Sequence, residues 1–102
     1  MSTRSMMEGT ILHWHKQRNL IDGTTDEAQL VKLAEELSEL MDAVRINSLE
    51  DKKDAIGDMA VVLINIAERN GFSLHEAMSH AYNEIKDRTG RMVDGIYVKD
   101  VK

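Results

Sequence analysis

Residues 30–45 read LVKLAEELSELMDAVR, and the period at which they repeat decides the fold. At about 100° per residue, Leu30, Leu33, Ala34, Leu37, Leu40, Met41 and Val44 gather into one stripe, the signature of an amphipathic helix rather than a strand. The same winding sets Lys32, Glu36 and Glu39 along one border of that stripe, with Glu35 a little further round. With Asp42, this places four acids in a segment that should be burying leucine. Such glutamates are solvated in a plain surface helix, so the spacing alone does not make a site.

A second segment sharpens the question. DAIGDMAVVLINIA, residues 54–67, is apolar nearly all the way round, which predicts a helix buried in a bundle or an oligomer. Yet Asp51, Asp54, Asp58 and Asn65 share one narrow arc of it. A carboxylate in such surroundings is costly unless it meets a cation or hydrogen-bond donors. A lysine or arginine from another helix would answer for Asp58. The alternative is a divalent ion, because two acidic rows on consecutive antiparallel helices would otherwise face each other with too few basic residues nearby. Mg²⁺ or Mn²⁺ suits carboxylate oxygens and is commonly shared with phosphate oxygens.

The rest of the chain is consistent with an all-α fold. It has no proline, six glycines and few aromatics. Helix starts are marked by Ser73-Leu74-His75-Glu76 and Thr24-Thr25-Asp26-Glu27, both of capping-box form, and by Ser48 with Asp51 in the following turn. Gly71 and Gly90 read as C-terminal stops. Four helices are predicted, over roughly 4–19, 26–46, 49–70 and 74–89, followed by a short extended tail. At 102 residues this is a single domain, 1–102. Cysteine is absent, which excludes disulfides and thiolate chemistry, and MSTRSMMEGT lacks the apolar core of a secretory signal, so a cytoplasmic location is expected. No apolar run approaches the roughly 18 residues of a membrane span, so no membrane partner is expected. The net charge of −5 argues against a duplex nucleic acid partner. That charge is uneven: residues 26–58 hold ten Asp/Glu against four Lys/Arg, whereas 86–102 hold five Lys/Arg against three Asp. A nearly all-apolar third helix exceeds what one thin bundle can hide, which predicts a homodimer or homotetramer with that helix at the interface.

Glu35-Glu36-x-x-Glu39, followed after an interval by Gly57-Asp58, resembles the EExxE and ExxD pattern of the all-α nucleotide pyrophosphohydrolases, and most closely the short MazG-like proteins. The ending AYNEIKDRTGRMVDGIYVKD, residues 81–100, extends the likeness through Asn83, Lys86 and Arg88. The resemblance runs from about Ile11 to Lys99. Two departures stand out: Ala55 occupies the place where the family usually has Glu, leaving Asp54 as the nearest acid, and Ser38 stands where glycine is common.

The resemblance implies a four-helix, bundle-like MazG fold assembled as an oligomer, and cleavage of a nucleoside triphosphate to its monophosphate and pyrophosphate in nucleotide-pool house-cleaning. It implies metal ligation by Glu36, Glu39, Asp54 and Asp58, with Glu35 or Glu39 orienting or deprotonating water. Asn83 and Lys86 become expected substrate contacts, with Lys32, Arg88 and Arg91 as further candidates. In that family, active sites lie at subunit interfaces, so Asn83 and Lys86 would serve a neighbour's metal. Trp14 reads as core packing or as a stacking platform for the base. His13, His15, His75 and His80 show no ligand spacing and read as surface or hydrogen-bonding residues. Two other readings stay open: a noncatalytic metal-stabilised helical bundle, and a protein-interaction module.

Overall fold

Serine and threonine hydroxyls start every helix. The computed structural model describes residues 4–101, so the ends of the expected domain, residues 1–3 and 102, lie outside the description. Helix α1 spans Met6–Gln17, α2 Asp26–Ile46, α3 Leu49–Arg69 and α4 Leu74–Ile85. Their N-caps are Ser5, Thr25, Ser48 and Ser73, and each side chain accepts a hydrogen bond from a backbone N–H three residues on. The reciprocal capping box forms at Ser5 and Glu8. The box expected at Thr24–Glu27 does not cap α2: Thr25 takes that role, and Thr24 instead accepts from the Gln29 amide.

Two residues, Asn47 and Ser48, connect α2 to α3. Asn47 is left-handed at φ 55°, ψ 42°, a geometry Asn tolerates, and it ends α2 while Ser48 caps α3 at once. So short a link lays the two long helices side by side and antiparallel. The seam buries Ala43, Ala55 and Val62, and Glu36 with them. Helix α1 packs on α3 through Leu12 and His15. Glu8 ties α1 to α4, one carboxylate oxygen accepting from Ser5 N–H and the other from His75 N–H in the first turn of α4. Arg69 fastens the α1–α2 connection, donating to the carbonyls of Ile21 and Thr24 and pairing with Asp26.

The fourth helix and the tail depart from expectation. Helix α4 stops at Ile85 rather than 89, so Arg88 lies beyond it. Gly90 is not a helix stop but the first residue of a strand: β1, Gly90–Val93, pairs antiparallel with β2, Ile96–Lys99. The turn is Asp94-Gly95, with φ of 50° and 81°, the pair of left-handed residues that a two-residue hairpin turn requires. Helix α3 is also not buried all round within one copy, since Ile56 and Leu63 reach solvent. No described helix is long and apolar enough to cross a membrane.

Candidate metal centre

The α2–α3 seam brings three acids from two helices to one point. Single carboxylate oxygens of Glu36, Glu39 and Asp58 all lie within 4.8 Å of one another. Glu36 and Glu39 come from adjacent turns of α2 and Asp58 from the middle of α3. Glu36 is the buried member at 4% exposure, whereas Glu39 and Asp58 open to solvent.

Lys32 partly compensates this charge. Its ammonium lies 3.2 Å from Glu36 and 3.6 Å from Glu35, and its side chain stays about half exposed. The hydrogen bond to Glu36, then the Glu36 charge, raises the lysine's pKa. One cation does not answer three carboxylates. A hydrogen bond with Glu36, followed by the Glu36 charge, lifts the Glu39 carboxyl above its usual range. Burial does the same to Asp58, reinforced by Glu36 and by Asp54. Among the described residues, Glu36 Oε2 is buried with no hydrogen-bond partner. A sealed carboxylate oxygen facing two further carboxylates fits a hard divalent cation, which would take Glu36, Glu39 and Asp58 as oxygen ligands.

Two clefts flank the triad. One, of about 400 Å³, is lined by Glu39, Asp42, Asp51, Asp54 and Asp58 above a floor that includes Ala43 and Ala55. Asp54 lies here, beside the triad rather than in it, and acts on Asp58 through charge. Ala55 is almost fully buried in that floor. The other cleft, of about 430 Å³, joins Glu36, Asp58 and Lys32 to Trp14 and Gln29. Trp14 is 44% exposed, so it is not a core residue. The Arg18 guanidinium sits 4.3 Å over its ring, and His15 meets it edge-on at 5.4 Å.

Not every expected residue arrives at the triad. Glu35 points outward, its side chain 60% exposed and engaged by Lys32. Asn83, Lys86 and Arg88 are exposed and line neither cleft within one copy; Arg88 instead borders a groove between the end of α4 and the tail, with Glu84 and Lys99. Asn65, which shares the arc of Asp58, is turned to a different task. Its amide donates to the Leu20 carbonyl at 2.6 Å and lies 3.3 Å from His15 Nδ1, while His15 Nε2 donates to the Val61 carbonyl at 3.0 Å. This buried network holds α1 and its following loop against α3 and so places the Trp14 wall of the cleft. His15, expected as a surface or hydrogen-bonding residue, is a buried hydrogen-bonding one; Gln29, which lines the Trp14 cleft, was not among the expected residues.

Comparison with known proteins adds one relative. The chain is 40% identical over 60 residues to an uncharacterized 18.2 kDa protein from the rep–hol intergenic region of Haemophilus phage HP1 (strain HP1c1). The match covers 59% of this chain and 37% of that relative. No family model and no solved structure matches the chain.

Proposed function

We propose that this protein is a Mg²⁺-dependent nucleoside triphosphate pyrophosphohydrolase with a MazG-like fold, converting a (d)NTP to the (d)NMP and pyrophosphate. The observation that carries the reading is the buried, unpartnered Glu36 oxygen inside the Glu36–Glu39–Asp58 triad. Mn²⁺ would fit the same oxygen donors.

A bound divalent ion supplies charge neutralisation for the triphosphate and Lewis-acid polarisation. The chain's own groups do the remainder. Lys32 and Trp14 line one cleft beside the triad; in this reading the lysine would meet phosphate oxygens and the indole would stack on the base. A water oxygen bonds to the α phosphorus, the bond from that phosphorus to the α–β bridging oxygen breaks, and pyrophosphate leaves. Glu39 or Glu35 takes the proton from the water; Glu39 stands at the triad, whereas Glu35 lies outside it with Lys32 between. Asn83, Lys86 and Arg88 reach substrate only from a second copy in this reading, which therefore requires a homo-oligomer.

The test is a Mg²⁺-dependent screen of canonical and modified nucleoside triphosphates with pyrophosphate and orthophosphate resolved. Pyrophosphate as the primary product, abolished in folded Glu39→Gln and Asp58→Asn proteins, is the expected result. Orthophosphate as the primary product, or undiminished turnover in those variants, overturns it. A second reading, a noncatalytic metal-stabilised bundle, draws on the distance of Asn83 and Lys86 from both clefts in one copy; Mg²⁺ would then raise the melting temperature while every triphosphate stayed intact.

A further inference from the structure

The chain exposes more surface than one folded copy of its size should. Its accessible area is 7791 Å², against about 5,800 Å² for a compact monomer of 11.6 kDa by area–mass scaling. Its radius of gyration is 16.1 Å, against about 13 Å for a domain near 100 residues. The excess of roughly 2,000 Å² is more than the roughly 800 Å² per partner that a stable interface buries.

Two apolar surfaces contribute to it. One is the hairpin. Cross-strand partners Met92 and Tyr97 share one face, and Val93, Ile96 and Val98 share the other with Arg91. All of these are exposed, Met92 at 64% and Ile96 at 68%, and the hairpin has no extensive packing on any described helix. A lone two-stranded hairpin is marginal in water unless something covers a face. The other surface is the flank of the α2–α3 pair turned away from the acids. Leu37, Met41 and Val44 of α2 and Ile56 and Leu63 of α3 are all exposed there, at spacings that form one stripe on each helix.

We propose that the Gly90–Lys99 hairpin is an exchanged arm: each copy's hairpin packs across the Leu37–Met41–Val44 flank of a second copy, closing a reciprocal dimer. A reciprocal contact closes on itself and buries both surfaces at once. Area favours a second copy as the occupant: a reciprocal contact hides two such surfaces per copy, and the exposed excess is enough to supply what each partner of a stable dimer buries. Charge does not oppose it, since residues 86–100 are nearly balanced, with Lys86, Arg88, Arg91 and Lys99 against Asp87, Asp94 and Asp100. This goes beyond the catalytic reading, and its test measures assembly rather than turnover.

The experiment compares the full chain with Ile96→Asp/Tyr97→Asp and with Leu37→Asp/Met41→Asp by sedimentation equilibrium and circular dichroism. All four positions are exposed within one copy, so helix content should hold. The wild type is expected as a dimer or an even multiple, and each variant should fall at least one step, to a monomer where the wild type is a dimer. An equimolar mixture of the two variants should regain dimers, because one intact hairpin then meets one intact flank. A monomeric wild type, a hairpin variant that assembles as the wild type does, or a mixture that fails to recover would each overturn the proposal; the last is the outcome if hairpins pair edge to edge. Should either aspartate variant lose helix signal, cross-linking decides. The chain has no cysteine, so Ile96→Cys mixed with Met41→Cys should give mixed disulfides in excess of either self-linked species. Absence of that excess overturns the proposal equally.

Discussion

Lys32 Nζ lies 3.2 Å from Glu36 Oε1, one turn along the same helix, and the pair is unequal: the lysine side chain is 55% exposed and the glutamate 5%. The lysine reaches in from water to a carboxylate that cannot reach out. A surface pair of this spacing contributes little, but here removal of the cation leaves a buried carboxylate without its ion-pair partner.

Replacing Lys32 by methionine should therefore cost the metal-free protein about 1 kcal/mol, more than an ordinary exposed i,i+4 pair. Urea unfolding of wild type and variant checks this. Saturating Mg²⁺ should erase most of the difference, because the ion takes over the lysine's compensating role. An equal loss with and without Mg²⁺ would assign Lys32 a purely packing role.

Acidity should stabilise the triad when no ion is present. Asp58 and Glu39 carry folded-state pKa values above their unfolded ones, Asp58 through burial and Glu39 through its hydrogen bond with Glu36. Their contribution is thus fully present below the unfolded carboxylate values and lost as pH rises through the folded ones. In chelator, the wild-type melting temperature relative to Asp58→Asn should rise as pH falls from about 7 to about 5, since the variant lacks the main titrating group. Mg²⁺ should reverse the trend, because protonation then competes with ligation. A wild-type minus variant difference that is flat with pH would contradict the geometry.

Asp54 and Asp58 should separate by role. Asp58 is a member of the triad and Asp54 acts on it from the neighbouring cleft. Asp58→Asn should weaken Mg²⁺ binding at least tenfold in isothermal titration, on the order expected for a direct ligand, whereas Asp54→Asn should change it only a few-fold. Equal losses would place Asp54 among the direct ligands.

Asn65 is a fastening rather than a ligand. Asn65→Ala removes the donor to the Leu20 carbonyl and to His15 inside a fully buried site, and should cost about 1–3 kcal/mol in urea unfolding. Mg²⁺ affinity should stay within a few-fold of wild type, while Trp14 fluorescence shifts as the cleft wall loosens. A loss of Mg²⁺ binding as deep as that of Asp58→Asn would instead put Asn65 at the metal.

The candidate site was partly legible before any coordinates. Glu36, Glu39 and Asp58 were named by the resemblance of Glu35-Glu36-x-x-Glu39 and Gly57-Asp58 to the pyrophosphohydrolase pattern; the helical period added only that the acids of each helix share one border or arc. Asn65 was grouped with the acids by that period and did not join them, since α1 and its loop, distant in sequence, supply its partners. The hairpin was readable and was overlooked: Asp94-Gly95 between Met92-Val93 and Ile96-Tyr97-Val98 is a turn dipeptide between β-formers.

By itself the sequence determined the helices and their starts, because caps and a 3.6-residue period act within a few residues of each other. It also determined that two acidic rows exist on helices too apolar to leave them unexplained. Only the tertiary structure decided which acids meet. A helical wheel sets angles about one axis but not the rotation of one helix against the next. That rotation, settled by the two-residue Asn47-Ser48 link and the close packing of Ala43 and Ala55, sealed Glu36 in the seam while leaving Glu35 in water.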